Sequence, residues 1–251
     1  MSRATGGPQR TLAVKDAPER IVLDLGGGVK MEFVRIKAGE FMMGSGNGEA
    51  DEKPVHEVTI SRDFWMQTTE TTQAQWEAVM GKKPSYFKGA DLPVEDVSWE
   101  NCREFMKKLN EKAKEQLEGK TAGLPTEAQW EYACRAGSTG KWCFGDDENK
   151  LGDYAWHQGS LKGNTQPVGQ RKPNSWGLCD MHGNVWEWCE DWYGVYPSEA
   201  VTDPNGPASG KQRCLRGGSW VNAAAEVRAS VRLKGFPLNR VRLVGFRVAL
   251  R

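Results

Sequence analysis

Gly177-Leu-Cys-Asp-Met-His-Gly-Asn-Val-Trp-Glu-Trp188 sets acids, glycines and tryptophans side by side with neither a helical nor a strand period. It lies within a stretch from about Ala136 to Gly210 that is dense in Gly, Asn, Asp, Pro and Trp. Irregular chain of that length belongs in a compact domain only if it is functional or pinned, for instance by bound ions. Within Asp180 to Glu187 an acidic side chain, turn carbonyls and a second carboxylate lie close together, the hard oxygen donors that calcium takes. The same residues also suit a turn in which both acids accept backbone N–H groups.

Working outward, the flanks are regular. Lys30 to Ile36 alternates as a half-buried strand does, Gly39 to Gly44 and His56 to Ile60 read as further strands, and Val241 to Leu250 recovers a strand-like pattern. Three helices announce their starts: Thr71 or Thr72 before a helix ending at Met80, Ser98 before Cys102, Phe105, Met106 and Leu109, and Thr126-x-x-Gln129 as a capping box. Their narrow apolar faces, opposite charges such as Lys107, Lys108, Glu111 and Lys112, predict surface helices lying on a sheet.

Bulk properties narrow the class. The 251 residues show no linker between separate cores, so residues 1–18 are expected to be a flexible tail and 19–251 one domain. The 29 Gly and 11 Trp suit a loop-rich fold with large aromatic anchors. Lys plus Arg number 34 against 33 Asp plus Glu and are scattered, which argues against nucleic acid. Without an apolar leader or a run able to span a bilayer, the expectation is a cytoplasmic protein without a membrane partner. The six cysteines, with no Cys-x-x-Cys, read as reduced and buried. The three histidines are far apart, and no phosphate-binding loop, dinucleotide fingerprint or Gly-x-Ser-x-Gly is present.

Several segments together carry a resemblance: Gly39-Glu-Phe-Met-Met-Gly-Ser45, Pro93-Val-Glu-Asp-Val-Ser-Trp99, Leu124-Pro-Thr-Glu-Ala-Gln-Trp-Glu-Tyr-Ala133, Gly177 to Trp188, Arg216-Gly-Gly-Ser-Trp220 and Gly245-Phe-Arg247. In order and spacing, from about Lys30 to Ala249, these are similar to the formylglycine-generating enzyme, or sulfatase-modifying factor, family. The resemblance implies an irregular α+β fold of the C-type lectin type, with small antiparallel sheets, flanking helices and much ordered coil. It also implies a structural calcium held by the Asp180 and Glu187 carboxylates and the Gly183 and Val185 carbonyls. The family's copper cysteines fall at Asn222 and Val227. An amide is a poor ligand for soft Cu(I) and an isopropyl group is none, so neither copper nor catalysis is expected.

Between scaffold-like Arg228, Ser230, Arg232, Pro237 and Arg240, relatives tend to carry Asn or Asp. This chain carries mostly apolar residues there. The pattern resembles the variable proteins of diversity-generating retroelements, in which adenine-directed mutagenesis of Asn codons reaches Val, Leu, Phe, Gly, Arg and Ala but never Lys, Glu, Gln, Met or Trp. The implied ligand-binding positions are Val221, Asn222, Ala223, Val231, Leu233, Gly235, Phe236, Leu238, Val241 and Leu243, within a candidate segment 220–244, and the implied partner is a protein or peptide. Two alternatives stand: a strand with one buried face would alternate in the same way, and the chain could be an oxidase using other ligands or an accessory subunit of a modification system.

Overall fold

The computed structural model describes residues 19–160 and 163–251, and the tail expected over 1–18 lies outside them. The described residues begin with β1 (Arg20–Asp24), β2 (Lys30–Ile36), β3 (Gly39–Met43), β4 (His56–Ile60) and β5 (Phe64–Gln67). There follow α1 (Gln73–Met80), α2 (Trp99–Lys112), β6 (Ala122–Gly123), α3 (Glu127–Arg135) and α4 (Leu151–Tyr154). The remainder carries β7 (Trp186–Trp192), β8 (Val201–Thr202), β9 (Arg213–Arg216), β10 (Arg232–Gly235), β11 (Val244–Gly245) and β12 (Ala249–Leu250). Three sheets result, in orders β1-β2-β5-β12-β6, β10-β9-β7-β11 and β3-β4-β8.

Each of the three long helices starts where its cap requires. Thr72, Ser98 and Thr126 accept the N–H of Gln75, Asn101 and Gln129, whose side chains return to the cap backbone, satisfying two otherwise orphaned donors per helix. α2 buries Cys102, Phe105, Met106 and Leu109, as its spacing predicts. Beside them Trp76 stacks on Phe105, and Phe246 meets both rings edge-on.

Four expectations are corrected. α3 is not a surface helix: Glu127, Trp130, Glu131 and Arg135 are all buried, because Arg216 and Arg232 come from distant strands to pair its acids. The sheets are not wholly antiparallel, since β11 pairs β7 and β8 pairs β4 in parallel. The irregular region contains β7, whose Trp-Glu-Trp-Cys-Glu-Asp-Trp is buried almost throughout and so lacks the alternation that marks a strand with one wet face. Val241 to Leu250 is not one strand either: residues 241–243 are loop and 244–250 run buried without interruption. All six cysteines are free, and among the described residues no helix is long and apolar enough to cross a membrane.

Candidate functional site

The loop leading into β7 is curled by left-handed residues, Asp180 at φ 57°, Gly183 at 93° and Asn184 at 57°. Gly183 admits no Cβ, because one would collide with the Trp156 carbonyl. The curl brings Asp180 and Glu187 into one buried neighbourhood with Glu70, which follows β5 and which the sequence did not single out. Glu70 Oε1 accepts the Val185 N–H at 3.1 Å and its Oε2 the Asn184 amide at 2.6 Å. Glu187 is already engaged: Arg247 donates to both its oxygens at 2.7 Å, and Trp130 Nε1–H to one at 2.7 Å. Asp180 Oδ2 accepts the Gly169 N–H at 2.6 Å, while Oδ1 is buried without a partner.

Three carboxylates thus face one guanidinium. Burial, opposed in part by that N–H and Arg247, pushes the Asp180 carboxyl up to about 6. Burial reinforced by the Asp180 and Glu187 charges pushes Glu70 well above its ordinary range. Among the described residues no three side chains of His, Cys, Asp or Glu converge as a metal cluster. A cation here would therefore need main-chain carbonyls as well, as in the set Asp180, Gly183, Val185 and Glu187. The only feature that could have flagged Glu70 is an acid between a strand and a helix cap.

The C-terminal segment is irregular but tightly held. Arg228 makes two bonds to Glu52 at 2.9 and 2.7 Å, Arg232 two to Glu127 at 2.6 and 2.7 Å, and Arg240 binds the Asp96 carbonyl at 2.7 Å. Main-chain bonds join Ala229 to Lys141, Glu100 to Pro237 and Asp96 to Val241. On this frame Val221, Leu233, Phe236, Leu238 and Val241 are exposed, Leu238 by 77% and Phe236 by 52%. They are five of the ten exposed large hydrophobic residues among those described, and all five fall within the segment 220–244. Exposed Tyr86, 5.5 Å beneath the Arg242 guanidinium, meets the segment from outside.

Not every expected binding position is exposed. Ala223 is exposed, but Val231 and Leu243 are half-buried against the core. A Cβ on Gly235 would stand 2.6 Å from the Trp188 ring, so this glycine backs onto the interior. Asn222 spends its Oδ1 on the Ser219 N–H at 2.9 Å and hydroxyl at 2.7 Å. Those four positions shape the backbone rather than offer a free side chain.

Asn222 and Val227, which the resemblance matches to copper ligands, are equally committed. Val227 is fully buried among Trp142, Leu151 and Ala155, and its carbonyl accepts His182 Nδ1–H at 2.8 Å. This makes His182 Nε2 an acceptor for the Cys143 N–H at 3.1 Å, so the ring serves as a neutral brace, its pKa lowered by burial to about 4. Burial raises every thiol, Cys179 to about 11, Cys143 to about 12 and the other four well above the usual thiol range, so none is a ready thiolate.

Residues 28–251 match the sulfatase-modifying factor enzyme 1-like domain. The chain is 31% identical over 279 residues to the formylglycine-generating enzyme of Streptomyces coelicolor, covering 86% of this chain and 88% of that one. It is 29% identical over 249 residues to the Chlamydia pneumoniae serine/threonine-protein kinase pkn1, covering 87% of this chain but spanning only 38% of the kinase. Among solved structures, Treponema denticola variable protein 1 superposes with a TM-score of 0.86 at 31% identity, covering 94% of this chain and all 100% of that one. The irregular α+β class implied by the sequence is thus the class observed.

Proposed function

The chain belongs to the sulfatase-modifying factor enzyme 1-like family, and on that scaffold we propose that it is a non-catalytic variable protein that displays a diversified C-terminal surface to a protein or peptide ligand. The observation that carries this reading is the exposure of five apolar side chains, Val221, Leu233, Phe236, Leu238 and Val241, on a backbone held by the ion pairs of Arg228 and Arg232. Side chains on such a frame can change without altering the fold, and the frame has lost its conformational freedom before any ligand arrives. The likeness to a solved variable protein points the same way.

The oxidase alternative draws on the formylglycine-generating relatives. It meets an amide tied into a turn at Asn222 and a buried isopropyl group at Val227, where the family's mechanism places thiolates. Incubation with Cu(I), oxygen and a sulfatase-type cysteine peptide is expected to leave the peptide thiol intact; turnover would overturn the non-catalytic reading. A structural calcium fits the partnerless Asp180 oxygen and the local excess of buried carboxylates, with Asp180, Gly183, Val185 and Glu187 as its ligands and Glu187 shared with Arg247.

Two outcomes test the binding reading. Random substitution at Val221, Leu233, Phe236, Leu238 and Val241 should leave the melting temperature almost unchanged and yield binders in a display selection. Gly235→Val should instead lower stability by about 1–3 kcal/mol through overpacking against Trp188. In the source genome a near-copy of the codons for 220–247, differing only at adenines and beside a reverse-transcriptase gene, is expected. Its absence, together with collapse of the randomised variants, would sink the proposal.

A further inference from the structure

On the flank of the molecule lies a cleft of about 1010 Å3, at the upper end of ligand-site volumes and unused by the function above. One wall is β3, which pairs only with β4 among the described residues and so presents an outer edge without a strand. An edge of this kind offers main-chain donors and acceptors to an extended chain. Met42 on β3 and Val55 opposite are exposed apolar side chains within the cleft.

The charges along it do not balance. Arg135 is committed to Glu131 and Arg228 to Glu52, which leaves Lys141 as the only lining cation outside an ion pair among the described residues. Against it stand Glu40, Glu49, Asp146 and Glu148, all exposed and none in an ion pair among the described residues.

We propose that this cleft binds an extended peptide segment bearing lysine or arginine, laid along the free edge of β3 with its cations against the acidic rim. Ala225, Arg228 and Ser230 of the segment 220–244 line the cleft, but none of the five exposed apolar residues does, so the site stands whether or not those five are diversified.

The test uses the full chain and a fluorescein-labelled, N-acetylated pentapeptide of alternating lysine and valine, followed by anisotropy. Saturable binding is expected, weakened about tenfold or more by Glu40→Gln with Glu148→Gln and lost with Met42→Arg, while Leu238→Asp leaves it unchanged. All four substituted residues are exposed, so the folded state should survive, and circular dichroism checks it. The inference is overturned if the lysine peptide does not bind, if a glutamate–valine peptide binds equally well, or if spermidine competes fully at equal concentration. It is also overturned if binding appears only after residues 1–18 are removed, since the occupant would then be the chain's own segment.

Discussion

Asp191 ends the buried part of β7 with its Oδ2 accepting the Glu127 N–H at 2.9 Å, and burial, aided by the Glu127 charge, pushes its carboxyl up to about 7. Because the folded state binds this proton more tightly than the unfolded chain, ionising Asp191 removes stability as pH rises from roughly 4 to 7. Asp191→Asn keeps an acceptor without the charge. It should stabilise the fold by a few kcal/mol at pH 8, with the gain shrinking toward pH 4, in urea unfolding at several pH values; an equal effect at both ends would contradict the assignment. At this scale the sequence was most informative about absence. Asn222 and Val227 carry no thiol whatever surrounds them, whereas only packing distinguished Gly235, pressed on Trp188, from Leu238, standing in solvent.

The third helix shows where the reading of elements stops. Its start was legible because Thr126 and Gln129 satisfy each other's backbone donors whatever surrounds them. Its burial was not, because Glu127, Glu131 and Arg135 recur at the spacing of a solvated stripe. The partners of the two glutamates, Arg216 and Arg232, lie on β9 and β10, far along the chain, and bring the helix into the centre. Glu131→Gln leaves Arg135 and Arg216 facing a neutral amide inside the protein and should cost about 3–5 kcal/mol. The exposed pair Glu104 and Lys108 is the control, where Glu104→Gln should cost about 0.5 kcal/mol or less. Equal losses in the two variants would mean that the buried network is no more than a surface pairing. β7 was missed for a related reason, since a strand covered on both faces loses the alternation that announces one.

For the whole molecule, the question is what holds so much coil in one arrangement. Buried arginines do much of it, with Arg247 tying the C-terminal end of the chain to Glu187 and so to the loop before β7. The proposed calcium would add to this, and its removal by EDTA should lower the melting temperature by on the order of 5–10 °C, a dependence that Asp180→Asn abolishes. An unchanged melting curve, with no calcium in the purified protein, would remove the ion and leave Asp180 as a buried acid bonded to Gly169.

The sequence alone determined the α+β class, the helix starts, the first strands and the absence of a thiol at Asn222 and Val227. Each of these is written in adjacent or periodic residues, or in the chemistry of one side chain. Only the tertiary structure decided which apolar residues of the C-terminal segment stand in solvent, that Glu70 joins the buried acids, and that β3 borders an acidic cleft. Those facts depend on chain segments remote in sequence arriving at one place, and no local pattern records such a meeting.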